Sequence, residues 1–424
     1  MSEVVLIRVS GRDRPGITAA LANVLGRYGI NVLDIGQSVI HNHLAWGMLV
    51  QLPPEAANSP VFKELMFTAH ELDLDLRVMP VSEEDYAEWV GEQGQSRLVI
   101  TVLGRQVKAE HIARVTELIT VNKLNIDRIT RLSGRAPLDT PEYRRRTAIE
   151  FWVRGQVDEM SVMHATFLNL SHVMDIDIAI QEDNVFRRAR RLVCFDMDST
   201  LIQNEVIDEL AKAAGVGDQV AAITESAMRG ELDFKESFTR RLALLEGLDA
   251  DVLPQVAESL QITDGAQRLI ETLKFYRYRI AILSGGFTYF AKHLQDRFGI
   301  DYVHANELEI ENGRLTGRVV GEIVDEKRKA ELLKQIADQE SIRLEQVIAV
   351  GDGANDLPML SVAGLGIAFR AKPAVRRQAR YVMGTSGLDG ILYLIGMREA
   401  DFARVGSGAA GEGAAEIRDS RPEE

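Results

Sequence analysis

The sequence is poor in the features that mark secreted and membrane proteins. Cys194 is its single cysteine, so an intrachain disulfide is excluded. Its place in an apolar stretch predicts a small buried side chain in a reducing compartment. The N-terminus lacks a basic segment followed by an apolar one, and no apolar run approaches the roughly 18 residues of a membrane span. We therefore expect a soluble, cytoplasmic protein.

Positive charge is also in short supply. The 424 residues contain 49 Lys and Arg against 63 Asp and Glu, which gives a formal net charge of -14. Nucleic acids and anionic membranes bind basic surfaces, so this balance argues against both as main partners. An anionic substrate would need a local basic site or a metal ion. Hydrophobic residues make up 46%, enough for real cores, and the length predicts two or three domains.

The first half of the chain repeats one pattern of strands and helices. Val4 to Ser10 and Leu98 to Leu103 are strand candidates, and each is followed by Gly-Arg. Apolar residues at helical spacing come next in both copies, and a strand with alternating aspartates closes each copy. Each copy therefore predicts an α+β unit of order β-α-β-β-α-β, at residues 1–80 and 97–182. Pro80 to Ser96 predicts a charged connector between them.

The loop after the first strand, Gly11 to Ile17, resembles the signature of the ACT domain, a small regulatory module that binds amino acids. Gly11 and Gly16 allow a ligand close to the backbone, and Asp13 can cap the following helix. A plain strand-to-helix turn is the alternative interpretation. The resemblance implies a regulatory site at these three residues. It also implies a homodimer, because ACT domains commonly pair.

The second copy departs from this signature. Gly104 remains at the position equivalent to Gly11, and it is the fourth candidate regulatory residue. Gln106 to Ala109 replace the Asp-Arg-Pro-Gly of the first copy. Whether both copies bind ligand equally is therefore open.

From Arg191 the pattern changes to alternating strands and helices, which is typical of a parallel α/β sheet. Leu192 to Phe195 predicts its first buried strand. Residues 203–262 contain no strand candidate, which predicts a helical cap inserted after that strand. We expect this domain at 191–398, followed by a disordered tail at 406–424 that is rich in Gly, Ala and charge.

Four short motifs come in a fixed order, each at the end of a strand or the start of a helix. They are Asp196-Met-Asp-Ser-Thr200, Ser284-Gly-Gly286, Lys329 and Gly351-Asp-Gly-Ala-Asn-Asp356. This order resembles the haloacid-dehalogenase-like superfamily of phosphotransferases over roughly Arg191 to Met397. The resemblance implies an α/β fold: a Rossmann-like core with a helical cap, preceded by two ferredoxin-like ACT domains.

The resemblance also implies a role for each motif. Asp196 would be the nucleophile that takes the phosphoryl group, and Asp198 would be the general acid and base. Ser284, the N–H of Gly285 and Lys329 would hold phosphate oxygens and neutralise their charge. Dehalogenases lack the second aspartate, so its presence favours phosphoryl transfer over cleavage of a carbon–halogen bond.

A phosphate dianion would be repelled by Asp196 unless a cation accompanied it. Mg²⁺ prefers oxygen ligands. The resemblance implies that Mg²⁺ is held by the carboxylates of Asp196 and Asp352 and the main-chain carbonyl of Asp198. Asp356 would orient these ligands, and Asn355 would contact the substrate or the motif lysine.

Residues near the cap resemble those with which the phosphoserine phosphatase family holds its substrate. Glu205 would take the amine, Arg241 the carboxylate, and Met228 and Phe234 would form an apolar lid. The adjacent Arg240 leaves the choice of guanidinium open by one residue. The resemblance implies hydrolysis of O-phospho-L-serine to L-serine and phosphate, the last step of L-serine biosynthesis.

Other interpretations stay open from the sequence. One is a phosphatase or phosphotransferase that acts on another small amino-acid phosphate, such as phosphohomoserine. Another is an amino-acid sensor with a vestigial catalytic half, against which the intact catalytic motifs argue. An amino-acid-binding module joined to an enzyme that releases an amino acid suggests feedback. We therefore expect L-serine to bind the ACT portion and to lower activity.

Overall fold

The fold is seen in a computed structural model. It describes residues 3–54, 59–92, 94–141, 146–229 and 231–406. The tail predicted at 406–424 therefore lies, apart from its first residue, outside the described residues. The chain separates into two compact units, Met1–Gln95 and Ser96–Glu424. In the part of the chain that the structure describes, no helix is both long and apolar enough to cross a membrane.

The first unit is an α+β sandwich. Its elements are β1 (Glu3–Arg12), α1 (Ile17–Arg27), β2 (Asn31–Ile40), β3 (His43–Leu52), α2 (Val61–Glu71), β4 (Leu74–Val81) and α3 (Glu83–Gly91). The strands form one antiparallel sheet in the order β2-β3-β1-β4. Alternate residues of β1 and β3, such as Ile7 and Trp46, are buried in one core with Leu21 of α1 and Leu65 of α2.

Two local predictions in the first unit are wrong. Asp13 does not cap α1, because the N-cap is Gly16 at φ 94 and no side chain caps it. The segment predicted as a charged connector contains a helix, α3, that was not predicted. That helix begins because the Ser82 hydroxyl accepts the N–H of Asp85, and acidic residues fill its first turn.

The second unit opens with a similar sandwich. Its elements are β5 (Arg97–Gly104), α4 (Ala109–Val121), β6 (Asn125–Arg131), β7 (Thr147–Arg154), α5 (Met160–Met174) and β8 (Asp177–Glu182), and the sheet order is β6-β7-β5-β8. Ile100 and Phe151 are buried with Phe167 of α5 in one core. Leu103 and Ala148 instead join the core of the domain that follows. The central strand β5 is therefore buried on both faces, whereas the edge strand β6 is largely exposed.

The remainder is a parallel α/β sheet with helices around it. A short helix α6 (Val185–Arg188) precedes β9 (Leu192–Phe195), and four helices follow the strand: α7 (Val206–Ala213), α8 (Gly217–Met228), α9 (Phe234–Ala243) and α10 (Val252–Ser259). The chain continues with α11 (Ala266–Phe275), β10 (Arg279–Phe287), α12 (Thr288–Phe298), β11 (Tyr302–Glu311), β12 (Arg314–Val320), α13 (Glu326–Gln339), β13 (Val347–Gly351), α14 (Leu357–Val362), β14 (Leu365–Phe369), α15 (Pro373–Arg376), β15 (Tyr381–Met383), α16 (Gly390–Leu394) and α17 (Glu399–Gly406).

The order of this sheet decides where the chemistry can lie. It is β12-β11-β10-β9-β13-β14-β15, with β12 alone antiparallel to its neighbour. The apolar β9 lies between β10 and β13, so the carboxyl ends of these three strands meet at one edge. Ligands of open α/β sheets bind at that edge. The predicted fold class, an α/β core with a helical insertion behind two α+β units, is confirmed.

Candidate active site

Asp196 and Asp198 lie where β9 ends and the chain turns. The N–H of Asp196 donates to the carbonyl of Val350 in β13 at 2.8 Å, which fixes this end of β9 against its neighbour. Ser199 then adopts a left-handed conformation at φ 56, so the chain reverses directly after Asp198. Both carboxylates are buried, with Asp196 5% and Asp198 9% exposed.

Lys329 of α13 reaches the same place. Its Nζ lies 2.8 Å from Asp196 Oδ1 and 2.8 Å from Asp356 Oδ1, and the residue is 0% exposed. Burial alone would lower the pKa of Lys329. The two carboxylates outweigh it and raise that pKa, so the side chain remains a cation.

Three carboxylates form a cluster around this lysine. Oxygen atoms of Asp196, Asp352 and Asp356 all lie within 4.8 Å of one another. The Thr200 hydroxyl donates to Asp352 Oδ1 at 3.3 Å, and the N–H of Gly353 donates to Asp356 Oδ2 at 2.9 Å. A single ammonium group cannot neutralise three carboxylates, and hard oxygen donors fit a hard divalent cation. The donor set therefore suits such an ion.

The environment shifts the pKa of each acid that faces the cluster. Burial, and next the Asp356 carboxylate, raise the pKa of Asp196 to about 7 against the opposing ammonium group. Burial and the Asp196 carboxylate raise the pKa of Asp352 to about 8. Burial and then Glu205 raise the pKa of Asp198 well above its usual value. A carboxyl of this kind can hold a proton and donate it.

The end of β10 supplies hydroxyl and backbone groups. Ser284 Oγ accepts the N–H of Gly286 at 2.9 Å and lies 3.5 Å from Asp198 Oδ2. The Asn306 side chain donates to the carbonyl of Gly285 at 2.8 Å and so fixes the loop. A Cβ at Gly286 would lie 2.3 Å from Asp198 Oδ2. Glycine is therefore needed there for the two strand ends to approach.

Glu205 and Arg241 approach the same carboxylates from the helical insertion. Ser199 Oγ donates to Glu205 Oε1 at 2.8 Å, and the N–H of Val206 donates to Asp198 Oδ1 at 2.8 Å. Burial lowers the pKa of Arg241, and the charges of Glu205, Asp208 and Asp198 oppose that shift. Glu205 and Arg241 thus both lie within electrostatic reach of Asp198.

The neighbouring residues of α9 differ in what they face. Arg240 is exposed and lies 2.6 Å from Glu236 Oε1 on its own helix, so of the two arginines it is Arg241 that turns inward. Phe234 packs against the β10 loop, since a Cβ at Gly285 would lie 2.9 Å from the edge of its ring.

For two of the predicted site residues, Asn355 and Met228, the structure shows fewer contacts that bear on their predicted roles. Asn355 is half-buried, and its Oδ1 would lie 2.2 Å from a Cβ at Gly353. Its predicted contact with a substrate stays a prediction. Met228 ends α8, and its side chain lies outside the described part of the chain. The sequence suggests Ser199 and Thr200 as hydroxyl and N–H donors where the strand ends, and the structure adds their partners, Glu205 and Asp352.

The candidate regulatory residues lie apart from these groups along the chain. Asp13 and Gly16 line a cleft of about 460 Å³ in the first unit, together with Gln37. Gly11 lies at the end of β1. In the second unit, Gly104 closes β5, and a Cβ there would lie 3.2 Å from the Ile176 side chain.

Comparison with known proteins agrees with this geometry. Residues 193–361 match the haloacid dehalogenase-like hydrolase family, and residues 3–79 and 96–181 each match an ACT domain family. A phosphoserine phosphatase of Streptomyces coelicolor is 42% identical over 93% of this chain and 92% of its own length. One from Mycobacterium tuberculosis is 39% identical over 97% of this chain and 98% of its own length.

Two solved structures share the fold. A HAD family hydrolase from Salmonella enterica is 31% identical, with a TM-score of 0.61 over 70% of this chain and 99% of its own. A probable phosphoserine phosphatase from Vibrio cholerae is 33% identical, with a TM-score of 0.55 over 74% of this chain and 89% of its own. This chain therefore belongs to the phosphoserine phosphatase family of haloacid dehalogenase-like hydrolases and carries two ACT domains ahead of its hydrolase domain.

Proposed function

We propose that this enzyme hydrolyses O-phospho-L-serine to L-serine and phosphate, the last step of L-serine biosynthesis. One observation carries the proposal. The buried Asp196–Lys329 pair, at 2.8 Å, lies beside Asp198, and the Glu205 carboxylate and the Arg241 guanidinium lie within electrostatic reach of Asp198. Asp196 and Lys329 suit a phosphoryl group. Glu205 and Arg241 suit the ammonium and the carboxylate of an amino acid.

The residues divide the reaction into two steps. Asp196 attacks phosphorus, the bond from phosphorus to the serine oxygen breaks, and the proton held by Asp198 passes to that oxygen. Asp198 then takes a proton from water as the water attacks the aspartyl-phosphate, which frees Asp196 and releases phosphate. Ser284, the N–H of Gly285 and Lys329 hold the phosphoryl oxygens through both steps.

The donor set supports Mg²⁺ as the cofactor. The carboxylates of Asp196 and Asp352 and the main-chain carbonyl of Asp198 would hold it, and Asp356 offers a further oxygen in the cluster. When bound, the ion supplies positive charge that lowers the repulsion between these acids and an incoming phosphate. Asn355 would contact the substrate from the same loop.

The helical insertion would act as the cap that selects the substrate. Glu205 would bind the ammonium group and Arg241 the carboxylate, while Phe234 covers the β10 loop and excludes water. Met228 would complete this apolar lid. Glu205 and Arg241 favour an amino-acid phosphate but do not fix its chain length, so phosphohomoserine is the alternative substrate.

The ACT domains support a regulatory role. L-serine would bind the cleft of the first unit beside Gly11, Asp13 and Gly16 and lower activity, and pairing of ACT domains would give a homodimer. Gly104 is the weaker candidate because the rest of the signature is missing there. An Asp13→Ala variant should lose most serine inhibition, while Asp75→Ala, an exposed change in the same unit, should keep it. Full inhibition of Asp13→Ala would refute this site.

The proposed activity is tested by phosphate release from O-phospho-L-serine with Mg²⁺ and with excess EDTA. We expect turnover with Mg²⁺, loss of turnover with EDTA, and recovery when Mg²⁺ is restored. No turnover with Mg²⁺ would refute the proposed substrate. A higher kcat/KM for phosphohomoserine would assign the site to the longer substrate.

A further inference from the structure

We infer that Lys235 and Asp325 form a latch that holds the cap closed over the phosphate loop, which makes Lys235 a positioning residue. The inference rests on the proposed function, because it takes the helical insertion to be a cap over the substrate. The latch is defined as the ion pair between these two side chains, and the phosphate loop as residues 284–286.

The ion pair joins the cap to the core. Lys235 lies in the first turn of α9, and its Nζ is 2.8 Å from Oδ2 of Asp325, which directly precedes α13. The Asp325 side chain is 12% exposed and the Lys235 side chain 53%. Because the carboxylate is partly buried, the pair is screened less by solvent than a fully exposed one.

The latch lies next to the residue that covers the phosphate loop. Phe234 precedes Lys235 and packs on Gly285. Behind it, the rings of Phe234 and Phe238 lie 6.0 Å apart, and those of Phe238 and Phe287 5.9 Å apart. An aromatic row therefore runs from the cap into β10. When the latch forms, it fixes the helix end that carries the first ring of that row.

Asp325 also organises the helix that carries Lys329. It is the N-cap of α13, and its side chain accepts the N–H of Arg328 at 2.8 Å. Its carbonyl accepts the N–H of Lys329 at 3.0 Å. One residue thus contacts the cap on one side and begins the turn that holds the catalytic lysine on the other.

A latch of this kind stabilises every closed state alike, whether it holds the substrate or the transition state. Its loss should therefore raise KM and leave kcat nearly unchanged. The carboxylates of Glu322 and Glu326 also attract Lys235. Removing the lysine should therefore raise KM more than neutralising Asp325 alone.

The test measures kcat and KM for O-phospho-L-serine at low ionic strength. Lys235→Ala should raise KM about two- to fivefold, as expected for a partly exposed ion pair. Asp325→Asn should raise KM less than Lys235→Ala does, because Asn still caps α13. Lys235→Arg should restore KM. Lys212→Ala removes an equal charge from the cap helix α7, where Lys212 pairs with Glu209 of its own helix, and should leave KM unchanged.

A double variant, Lys235→Ala with Asp325→Asn, should show a smaller effect on KM than the product of the two single effects. Multiplicative effects, an unchanged KM in Lys235→Ala, or a loss confined to kcat would each overturn the latch. Failure of the wild-type enzyme to turn over phosphoserine would instead count against the proposed substrate. In that case the same variants would be compared on p-nitrophenyl phosphate, where the same changes in KM are expected.

Discussion

Single residues of the site carry charges that would be unfavourable alone. Lys329 is fully buried, and it is tolerated because two carboxylates lie 2.8 Å from its Nζ. Asp196 is buried in turn, and its contact with Lys329 favours the ionised carboxylate that the proposed attack on phosphorus requires. Leaving either charge unpaired would cost several kcal/mol, roughly 3 to 5. The pair therefore supports both the fold and the proposed chemistry.

Arg241 provides the sharpest test of substrate recognition. Arg241→Ala should raise KM for phosphoserine about tenfold or more, because a charge-assisted hydrogen bond to the substrate carboxylate would be lost. KM for phosphoethanolamine, which lacks that carboxylate, should change little. Steady-state kinetics on both substrates with Arg240→Ala as the control checks this. Equal losses on both substrates would show that Arg241 does not bind the carboxylate.

The raised carboxyl pKa values predict how stability depends on pH when no metal is bound. Asp196 and Asp352 have pKa values of about 7 and about 8, above the roughly 3.9 of an unfolded aspartate. The folded state then binds more protons than the unfolded state, so stability should fall as pH rises from about 4 through about 8. Urea unfolding in EDTA at several pH values measures this fall.

Mg²⁺ should reduce this loss of stability at higher pH, because the ion stabilises the ionised carboxylates. Asp352→Asn provides the control, since the amide does not titrate and should flatten the pH dependence in EDTA. A metal-free stability that rose across this pH range would contradict the account.

At the scale of elements, the second ACT domain is docked on the hydrolase domain by named contacts. Asp177 in β8 accepts the N–H groups of Gly384, Thr385 and Ser386, and the Thr385 hydroxyl donates to it at 2.7 Å. Gln181 in the same strand donates to the carbonyl of Leu394 at 2.8 Å. The sheet of this domain is thus held in place through polar groups as well as through its apolar face.

Asp177→Ala should destabilise the protein by roughly 2 to 4 kcal/mol, because it leaves three backbone N–H groups without their acceptor in a buried contact. Urea unfolding measures the loss. Asp158→Ala, which removes an exposed aspartate paired with Lys123, should cost less than about 1 kcal/mol. Equal stability of the two variants would mean that the docking contact contributes nothing.

Local patterns predicted these helices and strands well, but contacts between distant residues outside the four motifs could not be predicted. The apolar run before Asp196 indicated β9, and the motif order indicated which strand ends meet. The alternating pattern around Asp177 does not reveal that this aspartate is buried, because its partners lie more than two hundred residues later in the chain. The contact of Lys235 with Asp325 could not be predicted for the same reason.

For the whole molecule, we propose that the first unit carries regulation and the second unit the chemistry. The core of the first unit is complete in itself, and the site residues all belong to the second unit. A variant that begins at Ser96 should therefore keep kcat and KM for phosphoserine within about twofold and lose inhibition by L-serine. Retained inhibition would place the serine site outside the first unit. Loss of activity would show that the first unit is needed for catalysis.

The central claim is that Asp196 itself takes the phosphoryl group. The most direct measurement is mass spectrometry of the enzyme quenched during turnover of phosphoserine and digested, with Asp196→Asn as the control. We predict one phosphoryl group on the peptide that contains Asp196, none in the variant, and a loss of activity of about 10⁴-fold or more in the variant. Turnover with no phosphorylated Asp196, or with the phosphoryl group on another residue, would contradict the account.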